Sequence, residues 1–253
     1  MKRIQGVTAA ALVLGLATAC SGGGEQATTA QTSGNEQPII VLAAASTRVL
    51  SDDFNALSKQ ELSFVNAGSS TLVQQLIDGS PGDVLITADK PTMDRAVEAG
   101  VVADPKVVAT NHIVLAVPRD NPAGITGVDE SLRNAQVVAC DSQVPCGRTT
   151  ERFVEQLLPG LEFVSREHSV TDVLGKVTSG EADAGWVYSS DAIAAGDNVK
   201  VFDVPGASED PNDYVAAVVV TSQNPDAART FVDLIDSSDA DALWSDRGFT
   251  PSP

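Results

Sequence analysis

A chain of 253 residues with 34 Asp+Glu against 16 Lys+Arg carries a formal net charge of −18. That excludes ordinary nucleic-acid binding, which needs a basic face to displace counterions from phosphates. With 43% hydrophobic and 20% charged residues, the composition is that of a globular protein, and the length suits one large domain or two lobes of about 100 residues each.

Lys2 and Arg3 precede an apolar stretch, Val7 to Ala19, that ends in small residues before Cys20. This reads as an export signal over residues 1–19. The apolar run is well short of the roughly 20 residues a membrane-spanning helix needs. Ala17-Thr18-Ala19-Cys20 looks like a bacterial lipoprotein cleavage box, with Cys20 as the lipidated new N-terminus. The alternative is a plain secretory signal cut near Ala19. Residues 20–37 hold no apolar side chain larger than Ala beyond the cysteine, so they are expected to be a flexible tether reaching roughly 23 Å. Loss of Lys2 and Arg3 with the signal, and of no acid, moves the charge from −18 to −20.

From Pro38 the pattern alternates short apolar runs with helical periodicity. Ile39–Ala43 is expected as a buried strand, 47–60 as a helix carrying Val49, Leu50, Phe54 and Leu57, and 61–65 as the next strand. A helix over 69–77, a strand over 83–87 and a helix over 91–99 complete a β-α-β-α-β-α run, which implies a parallel sheet. His112–Val117 is a further strand. The pattern then restarts: strand 136–139, helix 147–158, strand 161–164, helix 170–178, strand 184–188. The long apolar strand Tyr214–Thr221 follows, then a helix over 225–235 and an amphipathic tail ending at Ala242–Trp244. A midway restart with a late return strand predicts two α/β lobes, lobe I from 38–113 plus 220–253 and lobe II from 114–219. The chain is expected to cross between them near His112–Val117 and again near Tyr214–Val220.

Cys140 and Cys146 remain in an oxidising compartment once Cys20 is lipidated, and a disulfide between them is plausible. It would contribute only about 2 kcal/mol in the chain-entropy estimate, mainly rigidifying the turn at 141–145. The alternative is two half-buried thiols.

Ligands in open α/β sheets bind beyond the carboxyl ends of strands. Four predicted strand–helix junctions carry small or hydroxyl residues: 43–47 (AAAST), 66–71 (NAGSST), 145–149 (PCGRT) and 169–171 (SVT). Helix N-termini present unpaired N–H groups and a positive dipole end, so several converging make an anion site without formal positive charge. The bland reading is that each Ser or Thr is an N-cap, and the two readings are compatible.

At this point the residues resemble a known family, the bacterial periplasmic molybdate-binding proteins of ABC importers. The matching blocks are AAAST at 43–47, NAGSSTLVQQL at 66–76, GDVLITADKPTMD at 82–94, AGWVYSSDA at 184–192, YVAAVVV at 214–220 and RGFT at 247–250. The resemblance implies an α/β type II periplasmic-binding-protein fold, two lobes joined by a hinge of two crossing strands with a ligand cleft between them. It implies capture of molybdate or tungstate outside the cytoplasm and delivery to an ABC importer permease by a monomer held to the membrane through its lipid alone. No cofactor and no directly ligated metal are expected, because the oxyanion is the transported ligand. Carried over residue by residue, the family's two serines look like Ser46 and Ser69, its backbone-amide donors like Cys146 and Val170, and its tyrosine hydroxyl like Tyr188. The family usually has a small residue such as Ala where Cys146 stands, and the neighbouring Arg148 could lend the site a charge that the family's site lacks.

Enzyme readings find little support. The two histidines, His112 and His168, have no cysteine or acid at metal-ligand spacing, and Gly68-Ser69-Ser70 is no nucleophile elbow. A carrier of another oxyanion, sulfate or phosphate, is the rival within the binding class, and a secreted serine hydrolase a distant one.

Overall fold

The structure is a computed structural model and describes residues 37–252. The expected signal, Cys20 and the tether up to residue 36 lie outside the described residues. β1 (Ile39–Ala44), β2 (Leu62–Ala67) and β3 (Val84–Thr87) pair in parallel, with β1 in the middle. Their crossovers carry α1 (Ser51–Leu57) and α2 (Ser69–Ile77), and α3 (Lys90–Glu98) follows β3. Parallel strands covered on both faces read as unbroken apolar runs, and all of Val84–Thr87 is buried. The helix expected over 47–60 is divided, a 3-10 turn at Ala45–Leu50 leading into α1.

The sheet is mixed, a departure from the parallel sheet expected of the first half. β4 (Val102–Asn111), β10 (Asn212–Val219) and β11 (Thr250–Pro251) extend it in the order β11-β4-β10-β3-β1-β2, with β10 antiparallel to β3. The second sheet repeats the plan. β6 (Val137–Cys140), β7 (Ser165–Glu167) and β8 (Ala184–Tyr188) form a parallel trio, and β5 (Ile113–Pro118) and β9 (Val199–Asp203) add antiparallel strands in the order β7-β6-β8-β5-β9. Here α4 (Pro145–Leu157) and α5 (Val170–Ser179) are the crossovers, and α6 (Ser189–Ala195) follows β8.

Sheet membership corrects the lobe boundaries. His112 alone separates β4 in the first sheet from β5 in the second, so the first crossing is one residue and not the strand His112–Val117. The return occurs at 204–211, before β10 and not within it. Residues 212–219 therefore belong to the first lobe and not the second, because β10 pairs with β3 and β4 along most of its length. The strand expected at 161–164 lies at Ser165–Glu167, where the chain reaches the edge of β6.

Aromatic side chains tie the C-terminal helices to the cleft. α7 (Pro225–Ile235) and α8 (Asp241–Asp246) pack on the first sheet. Phe231 meets Phe54 at 5.9 Å, Phe54 meets Trp244 at 5.2 Å, and Trp244 meets Phe249 at 5.1 Å. Phe249 meets Tyr214 at 5.1 Å, and Tyr214 meets Tyr188 at 5.9 Å, all edge to face. Each such pair adds roughly 0.5–1.5 kcal/mol beyond the area it buries. This row ends on both tyrosines of the chain, in the wall between the lobes.

Candidate functional site

Each parallel strand delivers its last residues to the same gap. β1 ends at Ala44 and turns into the 3-10 segment that holds Ser46, while β2 ends before Gly68 and α2 begins at Ser69. From the other lobe, α4 starts at Pro145-Cys146, α5 starts at Val170, and β8 ends on Tyr188. All five residues singled out in the sequence, Ser46, Ser69, Cys146, Val170 and Tyr188, line one small cavity between the lobes. Its wall is completed by Ala44, Ala45, Gly68, Ala88, Val144, Pro145, His168 and Ser169, with no Lys, Arg, Asp or Glu.

First-turn amides of a helix have no intrahelical acceptor, so the starts of the 3-10 segment, α2, α4 and α5 all present N–H groups and positive dipole ends here. The capping alternative separates cleanly. Ser169 is a true cap, its hydroxyl accepting from the Asp172 amide at 3.3 Å. Ser46 and Ser69 are not caps. Ser46 Oγ lies 2.6 Å from Tyr214 Oη, and Ser69 Oγ accepts from the Ala88 amide at 3.1 Å. Tyr188 Oη accepts from Asn212 Nδ2 at 3.0 Å. The same Nδ2 donates to the Ala88 carbonyl at 3.1 Å, and Thr149 donates to Asn212 Oδ1 at 2.7 Å. Burial pushes both phenols well above their ordinary range, so Tyr188 and Tyr214 stay protonated.

Tyr214, Asn212 and Ala88 were not singled out in the sequence. Tyr214 had a signal, since a polar-tipped ring opening an otherwise aliphatic strand needs a partner for its hydroxyl. Cys140 and Cys146 are joined by a disulfide with Cα atoms 5.7 Å apart, behind the start of α4. Arg148 does not line the cavity, although its charge still lowers the Tyr188 phenol. Its guanidinium holds Asp89 from Nε at 2.9 Å, Thr92 Oγ1 at 2.6 Å and the Gln143 carbonyl at 2.7 Å. No group of three or more His, Cys, Asp and Glu among the described residues is placed to hold a metal ion. Neither Ser46 nor Ser69 has a histidine partner among them, and His112 serves as the crossing residue, its carbonyl accepting from the Ser189 amide at 3.0 Å.

Two lobes facing each other across an uncharged pocket of hydroxyls and helix N-termini define a solute receptor suited to an anion, and the chain belongs to the family of bacterial extracellular solute-binding proteins, which it matches over residues 40–250. It is 35% identical over 254 aligned positions to the molybdate-binding protein ModA of Mycobacterium tuberculosis (strain ATCC 25618 / H37Rv), covering 96% of each chain. The molybdate-binding protein ModA of Escherichia coli (strain K12) is 28% identical, with 85% of this chain and 90% of that one covered. The type II periplasmic-binding-protein fold is shared with the Azotobacter vinelandii periplasmic molybdate-binding protein, at a TM-score of 0.74, 18% identity and coverage of 85% of this chain and 100% of that one. The sulfate-binding protein SubI of M. tuberculosis H37Rv matches at 0.69, with 22% identity over 85% of this chain and 87% of that one. These relatives are binding proteins and not enzymes.

Proposed function

We propose that this protein captures a tetrahedral oxyanion outside the cytoplasm, molybdate first and tungstate with it, and delivers it to an ABC importer. The observation that carries the reading is the cavity itself, in which the hydroxyls of Ser46, Ser69 and Tyr188 converge with the helix-start amides of Cys146 and Val170 and no charged side chain intrudes. A proton-free dianion needs donors on every side and offers only acceptors, which is what this lining supplies. Because the whole chain is strongly acidic, affinity comes from short, desolvated hydrogen bonds and not from long-range attraction, which salt screens beyond about 8–10 Å. The names of the ModA relatives support molybdate over other oxyanions.

The N-terminal sequence supports an exported lipoprotein anchored through Cys20, with residues 20–37 as its tether and the folded part working as a monomer beside the permease. No helix among the described residues is long and apolar enough to cross a membrane. The oxyanion is cargo, so no cofactor enters the scheme. Calorimetric titration with molybdate, tungstate, sulfate and phosphate tests the reading. Molybdate and tungstate are expected to bind at least about 100-fold more tightly than phosphate, and sulfate, proton-free but smaller, to fall between. Equal binding of all four, or of none, would defeat it.

A further inference from the structure

The hydroxyls that face the cavity are each held by a neighbouring group, and the direction of those bonds follows from donor and acceptor chemistry. The Ala88 carbonyl can only accept, so the end of Asn212 that faces it at 3.1 Å is Nδ2. Thr149 Oγ1 satisfies Oδ1 from the other side at 2.7 Å. With the amide fixed at both ends, its remaining proton points to Tyr188 Oη at 3.0 Å, and the Tyr188 proton is left for the cavity. The Ala88 amide can only donate, which leaves the Ser69 proton free in the same way. At Ser46 the partner is Tyr214, 2.6 Å away. A phenol is a more acidic, hence better, donor than an aliphatic hydroxyl. Tyr214 therefore donates to Ser46, whose own proton turns inward.

Building on the oxyanion reading above, we propose that Tyr214 and Asn212 are positioning residues that lock Ser46 and Tyr188 as donors, and so make the site select proton-free tetrahedral oxyanions over proton-bearing ones of the same size. Neither residue lines the cavity. A bound anion that carries a proton needs one acceptor in return. A serine or tyrosine oxygen that accepts from behind and gives its own proton to the anion keeps only one lone pair, so it is a poor acceptor for a proton that the anion brings.

Molybdate and vanadate make the test, since they are similar in size, while micromolar vanadate is monomeric and protonated at pH 7.5. Calorimetry on the wild type should show molybdate bound at least about 100-fold more tightly. In Tyr214→Phe the ring still packs against Phe249 and Tyr188, but Ser46 becomes free to turn its oxygen inward. Molybdate should weaken by about 10-fold while vanadate holds or tightens, so that the ratio falls by 10-fold or more. Asn212→Leu should do the same through Tyr188, with thermal unfolding confirming that both variants are folded. If both anions weaken in proportion in folded Tyr214→Phe, the residue is merely structural and the proposal falls. If the wild type binds vanadate as tightly as molybdate, the selection itself is refuted. Failure of the wild type to bind any tetrahedral oxyanion would instead strike the function on which this inference rests.

Discussion

Ser46, Ser69 and Tyr188 are buried to the same degree, yet removing each hydroxyl leaves a different orphan. A hydrogen bond to a charged partner is worth about 1.5–3 kcal/mol, so Ser46→Ala, Ser69→Ala and Tyr188→Phe should each weaken molybdate by roughly 10- to 150-fold at 1.4 kcal/mol per decade. They should differ in stability. Ser69→Ala strands the buried Ala88 amide, a cost of about 1–3 kcal/mol, whereas Tyr188→Phe keeps its ring in the core and leaves Asn212 bonded to Ala88 and Thr149. Thermal unfolding beside calorimetry would separate the two effects, and tight binding by all three variants would show the site to be misassigned. At this scale the sequence was legible where chemistry is local. The junctions at 43–47, 66–71, 145–149 and 169–171 announce themselves by position, whereas the choice of Ser46, Ser69, Cys146, Val170 and Tyr188 came from the family resemblance, and all five line one cavity. Asn212 was not legible, and Tyr214 only as a ring whose hydroxyl needs some partner, because their roles depend on β10 lying beside β3 and on contacts across the lobes. The pairing of Arg148 was not legible for the same reason, since its partner Asp89 lies 59 residues away in the other lobe.

Among the elements, the parallel strands and their helices were readable from apolar runs and 3.6-residue periodicity, and α2, β8 and α7 stand where the pattern puts them. The elements that escaped are those whose burial is partial. In β4 five consecutive residues are not buried, and Asp104 at φ 53° precedes Pro105, so the strand reads as a turn. β9 is an edge strand, and α6 is only seven residues long. The junction before α2 carries a sharper consequence. Gly68 has φ −58°, open to any residue, but a Cβ there would sit 2.3 Å from the His168 carbonyl oxygen in the opposite lobe. The glycine is required by the close approach of the two lobes and not by its own backbone. Gly68→Ala should therefore fold normally and resist closure. Overpacking of this kind costs about 1–3 kcal/mol, so molybdate affinity should fall by roughly 5- to 150-fold with the unfolding temperature of the ligand-free protein unchanged. An unaltered affinity would mean that the lobes need not approach this closely to hold the anion.

Across the whole molecule, two ion pairs cross the cleft in opposite senses. Arg48 of the first lobe reaches Asp191 of the second at 2.6 Å, and Arg148 of the second holds Asp89 of the first. Beyond the larger effect of burial, both carboxylates raise the Tyr188 phenol, and Arg148 partly opposes them. The Arg48 pair belongs to the closed arrangement. Asp191 is completely buried there and Arg48 is 28% exposed, while Asp191 Oδ2 has no hydrogen-bond partner among the described residues. Burial raises the Asp191 pKa and Arg48 pulls it back down. Arg48→Met removes the counter-ion, and the lobes can avoid burying a bare carboxylate by staying apart. Breaking a fully buried pair costs about 3–5 kcal/mol, and the partial exposure of Arg48 reduces this to about 1.5–3 kcal/mol, or roughly 10- to 150-fold in molybdate affinity at pH 7.5. The sign of the pH dependence follows from the raised pKa. The closed state binds the Asp191 proton more readily than the open one, so closure gains as pH falls toward that raised value. The deficit of Arg48→Met relative to wild type should accordingly narrow between pH 7.5 and 5.5. Small-angle scattering supplies the structural check. The wild type should contract when molybdate binds, and Arg48→Met should contract fully only at higher molybdate or lower pH. A variant that contracts and binds like the wild type at pH 7.5 would show that closure does not depend on this pair.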